Sequence, residues 1–130
     1  MFPDQFEYYR ADDVDAAVGL LAEHSDEDVE LLAGGQSLLP TMKSGLAAPD
    51  VVIDISAIPE LSGVDTDASA TTFGAGTTYA EALAVEGLTA RCPGVMDTVA
   101  LIGDRQVRNV GTIGGNLAHA DPASDLPAAA

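Results

Sequence analysis

Hydrophobic positions along the chain recur in two periods, and each period predicts a kind of element. Val14, Ala17, Val18 and Leu21 fall at helical spacing with acids between them, which predicts an amphipathic helix opened by Asp12 as N-cap and ending near His24. Residues 6–9 before it read as a short strand. Residues 29–33 are a brief apolar run stopped by Gly34 and Gly35, and read as a buried strand entering a tight turn. Residues 38–43 fit one helical turn with Gly45 ending it. Val51, Val52, Ile53, Asp54 and Ile55 are β-branched and almost wholly apolar, the composition of a strand covered on both faces.

The second half alternates in the same way. Residues 58–67 read as a strand edge and turn. Thr71, Phe73 and Ala75 then alternate against Thr72 and Gly74 over residues 70–76. Thr78 with Glu81 three residues later forms a capping box for a helix through Val85. Pro93 suits the first turn of a further helix, which should reach Ile102 and stop at Gly103. Strands alternating with helices predict an α+β domain, a mixed sheet with helices packed on it. No internal repeat or low-complexity tract interrupts the pattern. Residues 125–130 close no element, so the sequence reads as a fragment.

Charge changes the picture more than length does. The 130 residues carry 5 Lys+Arg against 21 Asp+Glu, a net charge of −16, with a hydrophobic fraction of 47% that is ordinary for a folded chain. A length of this order holds one small domain and no second full one. So few bases argue against nucleic acid and anionic membranes as partners, because phosphate binding draws on Lys and Arg. Acids cluster at Asp12, Asp13 and Asp15 and again at Asp26, Glu27, Asp28 and Glu30. A halophilic cytoplasm accounts for such a surface, since molar salt screens self-repulsion within roughly 3 Å. The lone Cys92 can form neither an internal disulfide nor an iron–sulfur cluster. No apolar run approaches a membrane span and the N-terminus lacks a signal-peptide pattern, so a cytoplasmic location is expected.

Two glycine-rich segments are the candidate chemistry. In Ala33-Gly34-Gly35-Gln36-Ser37, paired glycines after a strand let backbone N–H groups approach an anion, with the Ser37 hydroxyl as a further donor. Gly111-Thr112-Ile113-Gly114-Gly115-Asn116 offers the same kind of donors, and two such loops can grip one pyrophosphate. A plain tight turn is the alternative at each. The spacing matches neither the P-loop nor the Rossmann fingerprint. His119, Asp121 and Asp125 are too few for a metal site, and no nucleophile elbow or Ser–His pairing supports a hydrolase. Arg105 and Arg108 read as surface bases paired with neighbouring acids.

At this point the residues resemble a known family. Residues 32–40 (LAGGQSLLP), Asp54-Ile55, and above all residues 102–127 (IGDRQVRNVGTIGGNLAHADPASDLP) are similar to the FAD-binding medium subunit of molybdenum hydroxylases, of the carbon monoxide dehydrogenase and xanthine dehydrogenase type. The resemblance runs along essentially the whole chain. It implies an FAD-binding domain of the p-cresol methylhydroxylase and vanillyl-alcohol oxidase type, with residues 1–57 as first subdomain and 58–130 as an incomplete second. It also implies that Leu31, Leu32, Ala33, Gly34, Gly35, Gln36, Ser37 and Leu38, with Thr112, Ile113, Gly114, Gly115 and Asn116, hold the diphosphate and ribityl of FAD. Ile102 would be an apolar wall and Asp125 would hydrogen-bond FAD.

In such enzymes the medium subunit takes electrons from iron–sulfur clusters of a small subunit and passes them through FAD to an acceptor. A large subunit with molybdopterin oxidises the substrate. Members of the family continue past the point where this sequence stops, so part of the flavin cleft is expected to be missing. The rival reading is a non-catalytic remnant or assembly module that binds no FAD by itself. A flavin oxidase of the vanillyl-alcohol type fits the fold but not the block from Thr112 to Pro127.

Overall fold

Four consecutive side chains, Val51 to Asp54, are buried, and the first half of the molecule is built around them. The computed structural model describes residues 2–130. It separates them into two units, one ending at Glu60 and the other running from Leu61 to Ala130.

The first unit contains strand β1 (Glu7–Arg10), helix α1 (Val14–Glu23), strand β2 (Val29–Leu32), helix α2 (Leu38–Lys43) and strand β3 (Val51–Asp54). The strands form a parallel sheet in the order β1-β3-β2, with Val52 opposite both Tyr8 and Glu30. The central position explains why β3 is apolar along its length. Asp54 at its end accepts a hydrogen bond from the Tyr8 hydroxyl at 2.5 Å and from the Ser56 N–H at 2.8 Å. Burial pushes this carboxyl up, but those bonds and the charge of Arg10 outweigh it and hold Asp54 below the usual range.

Two expectations fail here for identifiable reasons. β2 is not buried: Glu30 and Leu31 are exposed and Val29 and Leu32 only half-buried. It is an edge strand, paired on one side alone, so its apolar run marks one covered face. In α1 the N-cap is Asp13, not Asp12, its carboxylate accepting the Ala16 N–H at 2.7 Å. Of the four apolar positions at helical spacing only Ala17 is buried, while Val18 is 58% exposed. The inward face instead runs Ala17, Leu20, His24, and a polar His24 at its end hides it from a purely apolar pattern.

The second unit opens with an antiparallel pair, β4 (Val64–Thr66) and β5 (Thr71–Phe73). Helices follow: α3 (Tyr79–Ala84), α4 (Leu88–Arg91), α5 (Pro93–Leu101), α6 (Arg105–Val110), α7 (Ile113–His119) and α8 (Leu126–Ala129). The capping box on α3 forms as the sequence implies, with Thr78 Oγ1 accepting from the Glu81 N–H and Glu81 Oε2 accepting from the Thr78 N–H at 2.7 Å. α5 ends at Leu101 with Ile102 as its C-cap, and Gly103 follows in the left-handed region at φ +49°. Tyr79, Ala82, Leu88, Met96, Val99, Ile113 and Leu126 make the core. Arg91 closes the hairpin turn, its Nε donating to Thr71 Oγ1 at 2.7 Å and its Nη2 to the carbonyls of Asp67 and Ala70. Among the described residues no helix is long and apolar enough to cross a membrane.

Candidate flavin site

The chain leaves β2 at Leu32 and turns through Gly35, whose φ of +69° lies in the left-handed region. A Cβ there would stand 2.9 Å from Leu32 Cδ1 and 3.0 Å from Leu39 Cδ1, so conformation and space both favour glycine. The carbonyls of this turn are used: Gly35 accepts the Leu39 N–H at 3.0 Å and Ser37 accepts the Thr41 N–H at 3.2 Å. The backbone N–H groups of Gly34, Gly35, Gln36, Ser37 and Leu38 find no acceptor among the described residues. Ser37 sits at the N-cap of α2 and makes no side-chain cap bond. Gln36 and Ser37 are exposed, and Ala33, Gly34 and Leu38 are half-buried. A run of uncommitted N–H donors beside a glycine at positive φ is the chemistry that receives a phosphate without lysines. These residues therefore fit the diphosphate of FAD.

The second segment is built differently. It was expected to be a loop, but Ile113 to Asn116 form the first turn of α7, because Thr112 caps it with Oγ1 accepting the Gly115 N–H at 3.0 Å. The Ile113 N–H donates to the Thr77 carbonyl at 3.0 Å, the Gly114 N–H to the Ala75 carbonyl at 2.9 Å, and the Asn116 N–H to the Thr112 carbonyl at 3.1 Å. Gly114 is a close-approach glycine, since a Cβ would lie 2.5 Å from the Ala75 carbonyl oxygen. Asn116 Nδ2 donates to the Tyr79 hydroxyl at 3.0 Å, and its Oδ1 accepts from Ser124 Oγ at 2.8 Å. Ile113 and Gly114 also line an open, mainly apolar groove of about 690 Å³ with Phe73, Val95, Leu117 and Leu126.

The other expected residues lie in the second unit too. Ile102 is half-buried against the core, and its carbonyl accepts Arg108 Nη1 at 3.0 Å. Arg108 thus ties the end of α5 to α6, and among the described residues neither it nor Arg105 forms an ion pair, against the expectation of surface pairing. Asp125 is exposed, directly before α8, with no side-chain cap bond. Asp121 Oδ1 accepts the Ala123 N–H at 2.8 Å. Among the described residues no three His, Cys, Asp or Glu side chains converge as a metal site requires. Tyr79 and Ser124 were not foreseen at the site. Tyr79 reads as an ordinary helix residue after the capping Thr78, and no local signal links it to Asn116, 37 positions away.

Residues 4–130 match the family of the FAD binding domain in molybdopterin dehydrogenase, and the chain belongs to that family. Among curated relatives it is 44% identical to the carbon monoxide dehydrogenase medium chain of Hydrogenophaga pseudoflava, over 98% of this chain and 44% of the relative. It is 39% identical to the glyceraldehyde dehydrogenase medium chain of Sulfolobus acidocaldarius with the same coverage. Carbon monoxide dehydrogenase from H. pseudoflava superposes with a TM-score of 0.92 at 45% identity, covering 98% of this chain and 44% of that one. Quinoline 2-oxidoreductase from Pseudomonas putida gives 0.90 at 30% identity, again over 98% and 44%. The chain spans less than half the length of the relatives it matches.

Proposed function

We propose that the chain is the flavin-holding part of a molybdenum hydroxylase medium subunit. Electrons would arrive from the iron–sulfur clusters of a small subunit and leave through FAD to an acceptor. Substrate oxidation would belong to a large molybdopterin subunit. The observation that carries this reading is the run of five open N–H groups from Gly34 to Leu38, in a chain whose residues 4–130 match an FAD-binding family.

FAD when bound supplies the redox chemistry, and this chain's residues fix and shield it. Gly34 to Leu38 would offer their free N–H groups to the diphosphate and Ser37 its hydroxyl, so a protein of charge −16 would hold a dianion without basic side chains. Leu31, Leu32 and Ala33 bring the strand to that turn. On the same reading Thr112 to Asn116 would stand beside the cofactor, with Ile102 as apolar wall and Asp125 as hydrogen-bond partner. A divided first and second subdomain, near residues 57 and 58, belongs to the same reading. The acidic surface is matched to a salt-rich cytoplasm.

Titration of the purified protein with FAD in molar KCl, followed by gel filtration, tests the proposal. Flavin absorbance co-eluting in stoichiometric amount is the expected result. Folded protein that emerges without flavin overturns it in favour of an assembly module that binds no FAD by itself.

A further inference from the structure

We propose that Tyr79 is a positioning residue for the flavin, acting through the side-chain amide of Asn116. The inference rests on the flavin reading above and names groups that reading does not contain.

The amide of Asn116 is held at both ends. Its Nδ2 donates to the Tyr79 hydroxyl at 3.0 Å and its Oδ1 accepts from Ser124 Oγ at 2.8 Å. With both ends committed, the rotamer of Asn116 is fixed by the network. Tyr79 opens α3, Asn116 closes the first turn of α7, and Ser124 stands one residue before Asp125. One amide therefore joins the two stretches of the second unit assigned to the flavin, Thr112 to Asn116 and Asp125. A further pair of backbone bonds stitches the start of α3 to the start of α7: the Tyr79 N–H donates to the Gly111 carbonyl at 3.1 Å, and the Ile113 N–H to the Thr77 carbonyl at 3.0 Å.

The Tyr79 ring and its hydroxyl do separate work. The ring is 4% exposed and belongs to the core, and Gly111 lies against it, where a Cβ would stand 2.7 Å from Cε2. Phenylalanine fills the same space. Burial raises the Tyr79 phenol, and the hydrogen bond with Asn116 opposes that rise. Removing the hydroxyl thus frees one end of Asn116 with the packing intact. Removing the Ser124 hydroxyl frees the other end from the surface side.

The test compares Tyr79→Phe and Ser124→Ala with the unmodified protein in three readouts: FAD dissociation constant, urea midpoint, and the side-chain amide signal of Asn116 by NMR without flavin. Thr98→Ala is the control, since it removes a hydroxyl bonded to the Gly94 carbonyl within α5. Both test variants should fold, move the Asn116 amide signal and weaken FAD binding about tenfold, while Thr98→Ala does not weaken it. Because both act through one amide, the double variant should lose less than the product of the two singles. FAD binding within about twofold of the unmodified protein in both variants overturns the inference and leaves the flavin reading standing. If the unmodified protein itself retains no FAD, the flavin reading fails and the positioning role falls with it.

Discussion

The two glycine-rich segments look alike in sequence and are opposite in their hydrogen bonding. From Gly34 to Leu38 the carbonyls are partly engaged and the N–H groups are open. From Ile113 to Asn116 every N–H has an acceptor within the unit: Thr77, Ala75, the Thr112 hydroxyl and the Thr112 carbonyl. Glycine serves a different end in each. Gly35 supplies the left-handed conformation of a turn, whereas Gly114 removes a Cβ so that α7 can lie on the backbone of Ala75. The first segment leaves its donors free, and the second commits its own to holding its unit together.

The largest predicted effect follows from that contrast. Gly114→Ala places a Cβ 2.5 Å from a backbone oxygen that no side-chain rotation can move. It should destabilise the second unit by about 3 kcal/mol or leave it unfolded, as measured by urea denaturation. Gly35→Ala meets the mobile ends of Leu32 and Leu39 and a positive φ, so its cost should be about 1–2 kcal/mol with the fold retained. Its larger consequence should be loss of FAD retention, because the turn that presents the donors is displaced. A Gly35→Ala protein that keeps full flavin affinity would remove the first segment from the site.

A smaller pair of changes sharpens the comparison. Thr112 caps α7 through its hydroxyl, while Ser37 occupies the equivalent position on α2 without a cap bond. Thr112→Ala should therefore cost about 1 kcal/mol in stability. Ser37→Ala should change stability by less than about 0.5 kcal/mol and show itself only in FAD affinity. Denaturation curves for the two variants, set beside their FAD titrations, check both halves.

Much of this contrast lay beyond what local sequence carries. The capping box at Thr78, the stop at Gly103 and the apolar run of β3 are written within a few residues of one another, and each forms as read. An apolar run does not say whether one flank or both are paired, and the edge position of β2 depends on β3, some twenty residues later. Glycines at 114 and 115 mask the start of α7, whose acceptors, Ala75 and Thr77, come from far earlier in the chain. Helices α4, α6 and α8, of 4, 6 and 4 residues, are too short to show a period. The glycines marked both segments as special, but only the hydrogen-bond partners tell which one is open.

The smallest effect concerns the unit that carries the open segment. His24 ends α1, is buried, and holds Glu27 Oε1 with Nδ1 at 2.8 Å, while the Tyr9 ring lies 4.9 Å from its own. The bond to Glu27 raises His24 above its ordinary value of 6.5, burial opposes this, and the charges of Glu27, Glu23 and Glu7 add to the rise. A group raised on folding binds its proton more tightly in the native state, so its contribution is complete below 6.5 and is lost as pH climbs through the raised value. Stability of the first unit should therefore decline gently as pH rises above about 6.5, and urea midpoints should follow it. His24→Gln should abolish that slope, with His119→Gln on α7 as the control that keeps it. Among the described residues His24 Nε2 is buried with no partner, which works against the charged form. A slope of opposite sign would mean that this unpartnered nitrogen, and not Glu27, governs the turn leading into β2 and the open segment beyond it.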